Sequence, residues 1–137
     1  MTVGAHPTTV DGGGGSSPVA VATEVVPVSA GIESLIERTV ALRRELEAHE
    51  STCRLILDRV GGDAPVGWVL SEVGAERWRS SVTEAIQAFE TSRHAVRIAL
   101  VAMSVADGMT IAEVARSWGV SRQLASRWVH ECGVPVG

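Results

Sequence analysis

The sequence predicts an all-α protein in which a long helical hairpin or coiled-coil-like segment leads into a compact C-terminal group of three helices, behind a disordered N-terminal tail. Three observations predict this. Apolar residues recur at alternating steps of three and four from Gly31 to Val60, the spacing of one helix face. Two Ser/Thr-x-x-Glu signatures, Ser81 with Glu84 and Thr110 with Glu113, each precede an apolar-periodic run. In such a pair the two side chains satisfy the free amides of a helix start. The strong breakers gather at residues 61–67, Gly108 and Gly119, where they separate helical runs rather than interrupt them.

Residues 1–30 contain "DGGGGSSP" and three prolines but few large apolar side chains, too few to offset the entropy of ordering, so a disordered tail is expected. The β-branched run "VAVATEVVPV" leaves a strand open as an alternative there. From Gly31 to Val60 the seam reads Ile32, Leu35, Thr39, Leu42, Leu46, His49, Cys53, Ile56 and Val60. Such a heptad stripe is buried either by a second copy of the chain or by the next helix of the same chain. "GGDAPVG" at residues 61–67 then breaks the helix, and "WVLSEVGAERW" is expected as a short helix or turn that carries Trp68 and Trp78 into the core. A helix opening at Ser81 runs to Ala106. Its second half, "AVRIALVAMSVA", is apolar on nearly every side and calls for more than one neighbour. After Gly108, Thr110 caps a helix over Ile111–Trp118, Gly119 takes a positive φ, and Ser121 caps the last helix.

At 137 residues, 45% hydrophobic and 20% charged, the chain has the size and balance of one globular domain with a tail. It holds no apolar run of membrane-spanning length, and its first thirty residues lack the basic start and apolar core of a secretion signal, so a cytoplasmic protein is expected. Cys53 and Cys132 sit in helical patterns as small apolar fillers and are read as reduced thiols. The formal net charge is −4, yet it is unevenly spread. Residues 93–137 hold five Arg against three acids, residues 31–92 seven Arg against eleven, and residues 1–30 two acids with no base. The positive end coincides with the last helix.

Placed around an ideal helix at roughly 100° per residue, the last segment sorts its side chains into two arcs. Arg122, Gln123, Ser126, Arg127 and His130 share one arc, and Leu124, Ala125, Trp128, Val129 and Cys132 share the other. The outward arc consists of hydrogen-bonding side chains without a carboxylate, which suits a polyanion.

The stretch "VARSWGVSRQLASRWV" resembles the helix-turn-helix of bacterial DNA-binding proteins, most closely that of lactose-repressor-type regulators and of the C-terminal domain of resolvases and invertases. Small Ala115 at the helix crossing, Gly119 in the turn, Val120 after it, Ser121 at the cap, and apolar Val114, Trp118, Ala125 and Trp128 between the helices carry the likeness. Trp at two positions usually held by smaller aliphatics departs from the pattern and implies a roomier interface. The resemblance implies that the second helix enters the major groove with its N-terminal residues toward the base edges. On that footing Arg122, Gln123 and Arg127 are the candidate base readers: Arg grips guanine O6 and N7, and Gln pairs with adenine N6 and N7. Ser121, Ser126 and His130 are candidates for phosphate or base contacts, and Thr110 and Arg116 for phosphate contacts. Arg93 and Arg97 are expected to pair with Glu90 and its neighbours.

The expected organisation is a tail over residues 1–30, a helical dimerisation or interaction region over 31–92, and a helix-turn-helix region over 93–137. The expected function is sequence-specific binding of double-stranded DNA by a homodimer, as a transcriptional regulator in the bacterial cytoplasm, associated with the nucleoid. One alternative stays open: an adaptor that binds a protein partner of the transcription or recombination machinery through its acidic helices, residues 31–92. No cofactor, metal or catalytic residue is assigned. There is no Gly-rich phosphate loop, Cys/His ligand cluster or nucleophile elbow, and His6, His49, His94 and His130 are scattered.

Overall fold

The structure is a computed structural model that describes residues 1–5 and 27–135; most of the expected tail, and all of the segment considered as a strand except Pro27 and Val28, lie outside the described residues. Among the described residues there are five helices and no strand: α1 Val28–Val60, α2 Val66–Val73, α3 Ala75–Ala106, α4 Ile111–Trp118 and α5 Arg122–Glu131. None is long and apolar enough to cross a membrane.

α1 begins at Val28, three residues before the expected start, because Pro27 is a favourable residue to precede a helix: its carbonyl accepts the amides of Ala30 and Gly31. α1 and α3 pack antiparallel. Gly31 faces Val96 near one end, and the rings of His49 and Trp78 stack at a centroid distance of 4.8 Å further along. Of the expected seam, Leu35, Leu42, His49 and Ile56 are half-buried on this side. Glu45, Thr52 and Arg59 complete the face, whereas Ile32, Thr39, Leu46, Cys53 and Val60 are exposed. The seam is therefore split, and its second column turns away from α3. The contacting column is displaced by one residue, which on a helix rotates the face by roughly 100°.

The break after α1 is shorter than expected, since α2 starts at Val66. Arg59 links its two sides through an ion pair with Glu72 at 3.3 Å. α2 ends at Gly74, whose φ of 63° turns the chain into α3. α3 consequently starts at Ala75 rather than Ser81, and the Ser81 hydroxyl caps nothing; it donates within the helix to the Trp78 carbonyl at 3.4 Å. Val69, rather than Trp68, is the residue of α2 that reaches the interior; Trp68 remains 52% exposed beneath the Arg59 guanidinium. The apolar second half of α3 has the several neighbours its pattern calls for, α1 on one side and α4 and α5 on another: residues 96–102 are all buried or half-buried, and exposure begins at Met103.

The core lies at the C-terminal end. Val101 and Val105 of α3, Val114 and Ala115 of α4, and Ala125, Trp128 and Val129 of α5 form one buried cluster, closed at its rim by Ile98, Met109, Ile111, Val120 and Leu124. α3 runs unbroken from the hairpin into this cluster, so the two regions expected to meet at residues 92 and 93 share one helix.

Candidate nucleic-acid interface

The geometry of α4 and α5 follows from their caps. Thr110 and Glu113 form the expected reciprocal pair: the Thr110 amide donates to Glu113 Oε2 at 2.7 Å, and the Glu113 amide donates to Thr110 Oγ1 at 3.2 Å. The Thr110 amide foremost, and the Thr110 hydroxyl after it, hold the Glu113 carboxyl below its ordinary range. At the other end of α4, Gly119 adopts φ 64° and ψ 35°. Its amide donates to the Arg116 carbonyl at 3.3 Å and the Val120 amide to that of Ala115 at 3.0 Å. That pair of bonds is the left-handed helix stop. Ser121 then accepts the Leu124 amide at 3.1 Å and starts α5.

The two helices cross over small, buried residues: Ala115 is 7% exposed and Ala125 fully buried. Trp128 fills the space beside them at 8% exposure, and Trp118 meets it edge to face at a centroid distance of 5.8 Å. Trp118 itself lies at the rim, 36% exposed, rather than in the core. The room for Trp128 comes from α3, whose Arg97 guanidinium covers the ring with Cζ 5.0 Å from its centroid. Arg97 is thus not the partner of Glu90; that carboxylate pairs with Arg93 at 3.0 Å.

The sorting of α5 into two arcs holds in the structure. Ala125, Trp128 and Val129 are buried and Leu124 and Cys132 half-buried, while Arg122, Gln123, Ser126, Arg127 and His130 are exposed. Thr110, Arg116 and Ser121 are exposed as well. Among the described residues, Arg116, Arg122 and Arg127 have no carboxylate within ion-pair distance. The one acid of α5, Glu131, is drawn back against α3, where its Oε1 lies 2.6 Å from His94 Nε2. His94 Nδ1 in turn lies 3.4 Å from Arg97 Nη1. Sequence reasoning missed this cluster of His94, Arg97, Trp128 and Glu131, because the contacts that join its two halves cross between α3 and α5 and no local spacing relates one helix to the other.

The arrangement is an exposed, cationic helix face fixed by two caps and a close helix crossing, with Glu113 held in the Thr110 cap and Glu131 against His94. Residues 91–132, spanning the second half of α3 together with α4 and α5, match the family model of a homeodomain-like domain. This C-terminal part of the chain thus has the helix-turn-helix geometry and is similar to that family, which supports a DNA-binding role. Neither the curated proteins nor the solved structures offer a match to the chain.

Proposed function

We propose that the protein binds double-stranded DNA sequence-specifically through α5 and acts as a homodimeric transcriptional regulator. In this reading Arg122, Gln123 and Arg127 meet base edges in the major groove. Thr110, Arg116, Ser121, Ser126 and His130 meet the sugar-phosphate backbone or flanking bases. The free Ser121 hydroxyl proton and the exposed amides at the start of α5 add anion-binding capacity there.

The observation that carries the reading is the outward face of α5. It presents two unpaired arginines and a glutamine on the second helix of a helix-turn-helix, while Glu131 is held on the opposite side by His94. A single short helix gives modest affinity, and a two-fold pair doubles its contacts. The region 31–92 supplies the pairing in this reading, and a bacterial cytoplasmic, nucleoid-associated setting fits it.

Selection of bound duplexes from a random pool, followed by anisotropy titration of the winners, tests the function. Wild-type protein is expected to enrich a defined site. Arg122→Ala combined with Arg127→Ala is expected to weaken that site by at least about tenfold, since each bidentate base contact is worth about 1–3 kcal/mol of discrimination. Unchanged binding by the double variant would overturn the proposal.

A further inference from the structure

α1 is 33 residues long and contributes no buried residue. The column of α1 left out of the α3 contact joins a second column one step around the helix. Ile32, Ile36, Leu46, Cys53, Leu57 and Val60 form an exposed stripe, with Ile36 57% and Leu57 74% accessible. Their spacing continues in steps of four and three through Thr39, Arg43 and Glu50, which is the spacing of a coiled-coil seam. Hence α1 carries two seams, one used by α3 and one open.

We infer that the open seam docks on the same seam of a second copy, with the two α1 helices antiparallel and centred between Arg44 and Glu45. This rests on the proposed DNA-binding homodimer and names the surface and direction of its pairing.

Direction follows from the charges inside the seam. A parallel, in-register pair would stack Arg43 on Arg43 and Glu50 on Glu50, placing like charges face to face in a desolvated stripe. The antiparallel register sets Ile32 opposite Leu57 of the second copy and Ile36 opposite its Cys53. Thr39 then meets Glu50, and Arg43 meets Leu46, within one helical turn of the other chain's Glu47 and Glu50. Beside the seam, Glu33 falls next to Arg54 of the second copy. Apolar residues thus meet apolar residues in the 32–57 and 36–53 layers, Val60 falls opposite Ser29 at the ends, and the polar residues gather at the centre with opposite charges adjacent. The arrangement is two-fold symmetric and closed, and it leaves no seam to recruit a third chain.

Geometry then relates the two recognition helices. Gly31 marks the level of Val96, where α5 packs. At about 1.5 Å per residue the two copies of Val96 lie about 40 Å apart along the pair. One turn of B-DNA is about 34–36 Å, so the spacing has the scale of successive major grooves on one face of a duplex.

Cysteine cross-linking of the full chain tests the register. The background is Cys132→Ala, which leaves Cys53 as the only native thiol. Adding Ile36→Cys creates a pair that cannot close within one chain, since the two positions lie about 25 Å apart along a continuous helix. Mild oxidation should join the copies of this variant into a covalent dimer and leave the background protein unjoined. Cross-linking of the background protein through Cys53 alone would signal a parallel pair and overturn the inference. Light scattering should give a dimer for wild type, and Leu57→Glu should raise its dissociation constant at least tenfold with helical circular dichroism retained. A wild-type monomer that still binds its selected DNA would overturn the docking and the homodimer, and leave DNA binding through α5 standing. A cross-linked dimer that selects no DNA would do the reverse.

Discussion

Glu131 Oε1 and His94 Nε2 meet at 2.6 Å across the α3–α5 contact. This pairing turns the one acid of α5 toward α3, away from the exposed arginine face. Both side chains are about half exposed, so the pair contributes through geometry more than through energy. His94→Ala is expected to lower stability by less than about 1 kcal/mol in urea unfolding, the range of solvent-exposed polar pairs. A loss of several kcal/mol would show that the pair holds α5 in place rather than merely steering Glu131.

Trp128 is the largest side chain in the C-terminal core, and Arg97 covers it at 5.0 Å. Trp128→Ala is expected to cost about 3–5 kcal/mol, as large-to-small changes in a close-packed core do. Arg97→Ala removes only the cover and is expected to cost about 0.5–1 kcal/mol. Thermal unfolding of the two variants side by side measures the difference.

The Glu113 carboxyl is held below its ordinary range by the Thr110 amide and hydroxyl. A depressed value in the folded state means that this group's stabilisation is fully present above the unfolded value, near 4.3, and is lost as pH falls through the folded value. Unfolding measured from pH 7 to pH 3 should therefore show stability declining below about pH 4. In Glu113→Gln the contribution of this group to that decline should vanish. An identical acid limb in both proteins would contradict the capping role.

Gly119 sits at φ 64° with no atom near the position a Cβ would take. The cost of Gly119→Ala is therefore conformational alone, about 1–2 kcal/mol. Gly119→Asn should cost less, because Asn tolerates the left-handed region. A clash-driven loss would instead grow with side-chain size, and comparison of Ala, Asn and Val at this position separates the two.

The C-terminal end was legible because its signals are local. A capping pair three residues apart, a glycine stop and a 3.6-residue periodicity each depend on neighbours within a turn or two. The division of α5 into a buried and an exposed arc followed from them. The hairpin was only half legible. The expected face of α1 and the face that α3 covers share the column Leu35, Leu42, His49 and Ile56, and periodicity cannot tell which flank of that column α3 takes; the choice depends on Trp78, Val82 and their neighbours far along the chain. Ser81 and Glu84 carried a capping signature inside a continuous helix, where Gly74 had already set the start six residues earlier. Trp68 was assigned to the core on size, but Val69 occupies the inward position of α2. The His94–Glu131 and Arg97–Trp128 contacts cross between helices, beyond the reach of any local pattern.

Amide spectra of the labelled protein, recorded while its selected duplex is added, test the central claim most directly. The account predicts that the largest shifts fall on residues 121–130 and on the start of α4 at Thr110, with Arg122, Gln123 and Arg127 foremost, and that α1 and α2 stay unchanged. Shifts concentrated on the acidic hairpin, with the exposed face of α5 silent, would contradict it.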